Sequence, residues 1–175
     1  RDKTRINKSL EETNELVRKH INELKIKNNE IIDSIRYAKK IQDALLLSQN
    51  EIRDIAPESF VYFRPKDIIS GDFYWFAKKD DLIFVATADC TGHGVPGSLM
   101  SMLGISYLEK IIMEKGMVNT ADILNELKKQ IIFAMNKSED KDSMKDGMDM
   151  SLYCLDTKNN KLNYSAANNG IYIMR

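Results

Sequence analysis

The stretch DFYWFAKKDDLIFVATADCTGHGVPG, residues 72–97, predicts a β-hairpin followed by a glycine-rich turn and the start of a helix. Aromatic and β-branched residues, which favour strands, dominate both sides of the charged cluster Lys78–Asp81. That cluster predicts the turn of the hairpin. Asp72 stands at the outer end of the first strand and Asp89 at the outer end of the second. Pairing of the strands would therefore place the two carboxylates side by side.

These two aspartates are candidate ligands for a hard divalent cation. Mg²⁺ and Mn²⁺ prefer oxygen donors, and Mg²⁺ keeps part of its water when a protein binds it. Taken singly, an aspartate near glycine is more often a turn residue than a metal ligand. The predicted hairpin favours the metal site because it brings Asp72 and Asp89 together.

The glycines after the second strand suggest a phosphate site. Gly92 and Gly94 can adopt positive φ, and the helix predicted to begin at Val95 offers free N–H groups to an anion. The turn lacks the Lys-Ser/Thr pair of a P-loop and the spacing of a dinucleotide fingerprint. Arg64, upstream, is a second candidate phosphate contact. His93 is a candidate general acid or metal ligand, although a lone histidine is more often neither.

Composition excludes several functional classes. The chain has 175 residues, a net charge of zero, 43% hydrophobic residues and 30% charged residues. It lacks the basic surplus of a nucleic-acid binder, and no apolar run approaches the roughly 20 residues of a membrane span. Cys90 and Cys154 are predicted to be reduced thiols of a cytoplasmic protein. A nucleophilic role for Cys90 fits poorly beside two aspartates.

Residues 1–55 contain no proline and no glycine, which predicts one long helix or two helices with a break. A heptad pattern fits this segment, with mainly aliphatic residues at position d and repeated asparagine at position a. This pattern favours a two-stranded parallel coiled coil, and the alternative is a solvated helix that folds back on its own domain. The d positions are Leu10, Val17, Leu24, Ile31, Ala38 and Leu45, and the a positions are Asn7, Asn14, Ile21, Asn28, Ile35 and Gln42.

The chain is predicted to have two parts: a long helical segment over residues 1–56, and a domain over residues 57–175 in which strands begin after Pro57. Strand groups flank a pair of helices, an order that predicts an α+β fold with a largely antiparallel sheet. The charged stretch 137–145 is predicted to be a loop. The predicted strands are Ser59–Phe63, Asp72–Ala77, Leu82–Ala88, Met148–Leu155, Leu162–Ala167 and Ile171–Met174, and the two helices run from Val95 to about Glu114 and from Asn119 or Thr120 onward.

Four stretches, in this order, resemble the bacterial PPM-type serine/threonine phosphatases of the stage II sporulation protein E and sigma-factor-regulator branch. They are SIRYAKKIQDALL, FRPKDIISGDFYWF, VATADCTGHGVPGSLMSMLG and DGMDMSLYCLD. The resemblance covers the chain from about Ile32 onward. It implies an incomplete PPM-type fold, an antiparallel β-sandwich flanked by helices, with two Mn²⁺ or Mg²⁺ ions at one end.

The resemblance also implies roles for single residues. Asp72 matches the first metal aspartate, Asp89 matches the aspartate that bridges both ions, and the carbonyl of Cys90 matches the backbone-ligand position. His93 is carried over only as an expectation. In eukaryotic relatives the acid histidine follows the bridging aspartate by two residues, whereas here it follows by four.

Family members carry further metal carboxylates in a Thr-Asp-Gly segment and an Asp-Asp segment. Neither segment occurs after Asn169 in this sequence. We therefore expect an incomplete metal shell, weak metal binding and poor hydrolysis from this chain as given.

The function implied is hydrolysis of phosphoserine or phosphothreonine on a regulatory protein, such as an anti-sigma-factor antagonist, by a water activated between two metal ions. The expected partners are the phosphorylated substrate, a second copy bound through the N-terminal helix, and an upstream sensor module. Nucleic acid and membrane are not expected partners. Two other functions stay open: a non-catalytic dimerisation and signal-relay module, and a phosphate- or nucleotide-binding module that uses the Gly92–Pro96 turn.

Overall fold

The computed structural model describes residues 2–135, 147–172 and 174. Helices come first, and four strands follow with two further helical segments between the second and third. The elements are α1 (Asp2–Leu45), α2 (Gln49–Ile55), β1 (Phe73–Lys79), β2 (Leu82–Cys90), α3 (Gly94–Glu109), a π-helical segment (Lys110–Glu114), α4 (Thr120–Met135), β3 (Met148–Asp156) and β4 (Lys161–Ala167).

Contacts divide the chain into two compact units, Arg1–Ala38 and Lys39–Arg175. The described part of the first unit is helical throughout, as the lack of proline and glycine predicted. Most of its large aliphatic side chains are exposed: Leu10 is 57% exposed and Leu24 is 66% exposed. The first unit therefore buries little apolar surface of its own. The domain boundary at residues 56 and 57 stays a prediction.

The break in the N-terminal helical segment has a local cause. Ser48 caps α2, because its hydroxyl accepts a hydrogen bond from the Glu51 backbone N–H at 3.4 Å. The Glu51 carboxylate in turn accepts from the Ser48 backbone N–H at 2.7 Å. This reciprocal pair is a capping box. Hydrogen bonding of the Glu51 carboxylate with the Ser48 side chain and with the Ser48 backbone N–H holds the pKa of Glu51 below its usual value. The segment therefore forms two helices.

The second unit contains a four-stranded antiparallel sheet in the order β1-β2-β3-β4. The predicted hairpin is confirmed: β1 and β2 pair from Phe73↔Ala88 to Lys79↔Leu82. Its turn consists of Asp80 and Asp81, with Asp80 at a φ of 54°. The α+β class is confirmed, and the described strands form one sheet.

The main core lies between one face of this sheet and the helices that follow β2. Side chains alternate along each strand, so every second residue of β1 and β2 points into this core. A smaller cluster on the other face packs β1 and β2 against α2. The main core includes Phe73, Trp75, Phe84, Ala86, Met100, Leu108, Ile111, Ile123, Leu127 and Leu152, and the smaller cluster consists of Ile52, Phe76, Ile83 and Val85.

One predicted strand is wrong. Residues 59–63 form no strand, although their aromatic and β-branched composition favours one. Phe60 and Tyr62 are 82% and 81% exposed, and the Val61 carbonyl accepts a hydrogen bond from the Gln49 side chain rather than from a strand. Strand formation needs a neighbouring strand, and this run has none.

At the end of the chain, Ile171, Tyr172 and Met174 lie outside any strand, and Ile173 lies outside the described residues. The loop predicted at 137–145 also lies outside them. Over the described residues, no helix combines the length and the hydropathy that crossing a membrane requires.

Candidate metal centre

The carboxyl groups of Asp72 and Asp89 lie together at one end of the hairpin. Phe73 pairs with Ala88, so one step further along both strands brings Asp72 opposite Asp89. Partial burial raises the pKa of Asp72, and a hydrogen bond with Asp89 and the Asp89 charge raise that pKa further. Two carboxylates that share a site in this way hold excess negative charge, which a cation would neutralise.

Three glycines pack backbone against backbone beside this pair. A Cβ added to Gly71 would lie 3.0 Å from the Gly92 carbonyl oxygen and 3.3 Å from the Cys90 carbonyl oxygen. A Cβ added to Gly97 would lie only 2.6 Å from the Gly92 oxygen. Glycine at these positions lets the turn after β2 approach the residue next to Asp72. Two carbonyl oxygens therefore lie close to the carboxylate pair.

Gly92 adopts a φ of 87° and Gly94 a φ of 65°, the left-handed region that glycine enters without strain. Both glycines therefore have the positive φ that the phosphate-site prediction assigned to them. Arg64 is exposed. The phosphate-binding roles of Arg64 and Gly92 stay predictions.

The Cys90 side chain is not suited to nucleophilic chemistry. Burial raises the pKa of its thiol to about 12, and the charges of Asp89 and Asp72 add to the effect. A thiol with that pKa stays protonated at neutral pH. Cys90 and Cys154 are both buried and free, as predicted. Only the backbone carbonyl of Cys90 remains as its candidate contribution to the site.

His93 lies at the N-terminus of α3, with its imidazole ring beside the Asp67 carboxylate. Its Nδ1 lies 3.3 Å from the Asp67 carboxylate oxygen, and its side chain is 83% exposed. The structure therefore brings together Asp72, Asp89 and the Cys90 backbone, and it places His93 against a different carboxylate. A catalytic role for His93 stays a prediction.

A contact between distant segments fixes the turn after β2. The Thr91 N–H donates to the Gly147 carbonyl at 2.9 Å, and the Gly147 N–H donates to the Thr91 hydroxyl at 2.8 Å. Gly147 directly precedes β3. This contact joins residues 56 positions apart, so no local sequence pattern indicated it.

The residues present fit a hard divalent cation that keeps much of its water. Asp72 and Asp89 supply carboxylate oxygens, and Cys90 and Gly92 supply neighbouring carbonyl oxygens, which are the donors that Mg²⁺ and Mn²⁺ prefer. Across residues 2–135 and 147–172, no group of three or more His, Cys, Asp or Glu side chains is placed to hold a metal. Asp149, which pairs with Asp89 in the sheet, accepts a hydrogen bond from Asn168 at 3.0 Å.

Comparisons with known proteins point to one class. The chain is similar to phosphoserine phosphatase RsbU of Bacillus subtilis (strain 168), with 34% identity over 106 residues, 58% of this chain and 30% of RsbU. It is also similar to the solved SiaA-PP2C domain of Pseudomonas aeruginosa, with a TM-score of 0.65, 30% identity, and coverage of 80% of this chain and 54% of that chain. No family model matches. The chain thus spans about a third of one relative and about half of the other.

Proposed function

Because the chain carries part of a PPM-type (PP2C) phosphatase domain, we propose that it belongs to a metal-dependent phosphatase that hydrolyses phosphoserine or phosphothreonine on a regulatory protein. The observation that supports this most is the strand register, which brings Asp72 opposite Asp89 at the end of the hairpin. These are the two positions that the family resemblance assigns to metal binding. The substrate class follows from the similarity to a phosphoserine phosphatase.

Each residue of the site has a proposed task. Asp72 and Asp89 hold the cations, with the Cys90 carbonyl as a further ligand. When bound, divalent ions supply an acidified water for in-line attack on phosphorus and offset charge on the phosphoryl oxygens. Gly92 and the free N–H groups at the start of α3 bind the phosphoryl group, because a helix N-terminus attracts anions. The protonated Cys90 thiol is consistent with a mechanism without a covalent phosphoenzyme.

The phosphorylated protein is proposed to be a regulator in a signalling pathway, such as an anti-sigma-factor antagonist. This part of the proposal rests on the family resemblance. A cytoplasmic location is proposed with it, since both cysteines are free thiols.

The N-terminal helix is proposed to bind a second copy of the chain and to receive signals from an upstream module. Its exposed aliphatic residues include Leu10, Val17, Leu24 and Ile31, which are the heptad d positions. Apolar residues at this spacing are typical of a coiled-coil seam. The same observation supports the second candidate function, a signal-relay module without catalysis.

Phosphate release from a phosphoserine protein in Mn²⁺ separates these functions. It is measured with the chain extended to the full phosphatase domain, because poor hydrolysis is expected from the chain as given. We expect Asp72→Asn and Asp89→Asn each to lower the rate by more than about 100-fold. Removal of a residue that only supports a metal ligand typically costs less than this, and these two aspartates are proposed to be the ligands themselves. Asp80→Asn is the matched control, because it changes the same residue type at the other end of the same hairpin and Asn also tolerates positive φ. Equal rates in all four proteins, with dimerisation intact, would favour the relay module.

A further inference from the structure

Gln42, near the end of α1, is a buried polar residue whose side chain pairs with the backbone of one distant residue. It is 2% exposed. Its Nε2 donates to the Ser70 carbonyl at 2.6 Å, and its Oε1 accepts from the Ser70 N–H at 3.0 Å. The amide thus satisfies both backbone groups of Ser70, as a neighbouring strand would.

The same amide also contacts α3. Gln42 Nε2 donates to the Ser101 hydroxyl oxygen at 2.8 Å. The Ser101 hydroxyl in turn donates a hydrogen bond to the Ser98 carbonyl at 2.8 Å, and it also lies 3.3 Å from the Ser70 carbonyl oxygen. Gln42 and Ser101 therefore join the end of α1, the segment before β1, and α3.

Ser70 lies two residues before Asp72, outside the sheet ladder. The residue between them is Gly71, where an added Cβ would lie against the Cys90 and Gly92 carbonyl oxygens. β1 begins only at Phe73, so no strand pairing fixes Ser70. Gln42 therefore holds the backbone that leads into Asp72 at Ser70. The same amide contacts α3 through Ser101, and α3 contains Gly97, which packs against the other side of the glycine turn.

We propose that Gln42 is a positioning residue for the metal centre: its amide holds the Ser70 backbone so that Asp72 meets Asp89 and the neighbouring carbonyl groups. This inference rests on the proposed function, because it assumes that the carboxylate pair binds metal. Gln42 touches neither substrate nor metal. Its effect is expected on metal affinity, since a shift of the Asp72 backbone changes the distance between the two ligands.

The alternative is that Gln42 only stabilises the fold. A purely structural residue would lower thermal stability and leave the metal affinity of the folded protein unchanged. Gln49 provides a matched control. Its Nε2 donates to the Val61 carbonyl at 2.8 Å, also joining a helix to a non-strand segment, but away from Asp72.

The test compares wild type, Gln42→Met, Ser101→Ala and Gln49→Met of the full chain. Mn²⁺ binding is followed by electron paramagnetic resonance, and hydrogen exchange of the Ser70 and Gly71 amides is measured without metal. We expect Gln42→Met to weaken Mn²⁺ binding by about 10-fold or more, as loss of supporting contacts does at other metal sites. The two amides should exchange faster, while Gln49→Met should match wild type in both measurements.

Ser101→Ala removes one of the two acceptors of Gln42 Nε2 and so weakens the hold of the amide on Ser70 without deleting it. This variant carries the test if Gln42→Met does not fold. A weakening of Mn²⁺ binding by about 2- to 5-fold, the equivalent of one hydrogen bond, is expected. Lower thermal stability with unchanged Mn²⁺ affinity in the folded variants would overturn the positioning role of Gln42, but not the proposed function. Absence of Asp72- and Asp89-dependent Mn²⁺ binding in wild type would overturn the proposed function as well.

Discussion

The two units of the chain contain similar apolar residues, but they differ in how far these side chains are buried. In Arg1–Ala38 the aliphatic side chains are exposed, with Leu24 at 66%, whereas in Lys39–Arg175 Phe84 and Leu152 are fully buried. A hairpin with helices on one face buries its own apolar surface. A single helix cannot do so, and its stability depends on what its apolar stripe contacts. Apolar content alone therefore does not tell which part of a chain is a self-sufficient domain.

The largest expected difference concerns single apolar residues of the two units. Phe84→Ala should lower the free energy of unfolding by about 3–5 kcal/mol, because it leaves a cavity in the core. Leu24→Ala should change the unfolding of the second unit by less than about 0.5 kcal/mol, since its side chain is already in solvent. Urea unfolding followed by fluorescence of the buried Trp75, the only tryptophan, measures both. Equal losses would contradict the division into units.

Next in size is a change in the glycine packing beside the carboxylates. Gly97→Ala should destabilise the second unit by about 1–3 kcal/mol, because the new methyl group would lie 2.6 Å from the Gly92 carbonyl oxygen. Helix propensity alone predicts the opposite sign, since Gly97 lies in α3 and alanine is the better helix former.

Gly147→Ala serves as the control for this change. A Cβ at Gly147 meets no atom of the described residues within 4 Å, so the unfolding midpoint of Gly147→Ala in urea should stay near that of wild type. A stabilised Gly97→Ala protein would mean that the three glycines are not in close contact.

A smaller effect is expected at the start of α2, where a cap and not a core sets the stability. Ser48→Ala should cost about 1 kcal/mol, because it removes the hydroxyl that caps the helix. Thermal unfolding of wild type and variant at pH 7 measures the loss, and no change would rule out the capping box.

The Glu51 half of that capping box gives a pH dependence. The folded pKa of Glu51 lies below its usual value of 4.5, so its contribution is present above about pH 4.5 and is lost as the pH falls through the lowered pKa. The stability difference between wild type and Glu51→Gln should therefore shrink on acidification. A difference that grows toward low pH would contradict the assigned hydrogen bonds.

The smallest effect on unfolding is expected from substitutions in the first unit, although these substitutions should have a large effect on self-association. Leu10→Glu with Leu24→Glu should abolish self-association, because charges at two d positions oppose a coiled-coil seam. The unfolding of the second unit should not change. Light scattering after size-exclusion chromatography gives the mass, and Glu12→Lys, on the outer f position, is the control. A dimer that survives both glutamates would contradict a seam along α1.

Sequence patterns predicted those features that depend on neighbours along the chain. The aromatic and β-branched runs on either side of Lys78–Asp81 predicted the hairpin, and the hairpin in turn predicted that Asp72 and Asp89 would lie side by side. The helices followed from spacing and from the lack of proline and glycine in residues 1–55. These signals are local, so a single sequence contains them.

Features that depend on distant partners were missed or wrong. Residues 59–63 have strand composition, but among the described residues they pair with no strand. Gln42 binds Ser70 across 28 positions, and Thr91 binds Gly147 across 56. The heptad pattern placed Gln42 at an a position without indicating that its amide pairs with the backbone before Asp72. Polar side-chain contacts of this kind leave no periodic signal.

The most direct test of the central claim is a Mn²⁺ titration of the full chain by electron paramagnetic resonance, with Asp72→Asn, Asp89→Asn and Asp80→Asn alongside wild type. If the carboxylate pair is a metal centre, wild type and Asp80→Asn bind Mn²⁺ alike, and either of the other two changes removes that binding. Mn²⁺ binding of equal strength in all four proteins, or in none of them, would contradict it.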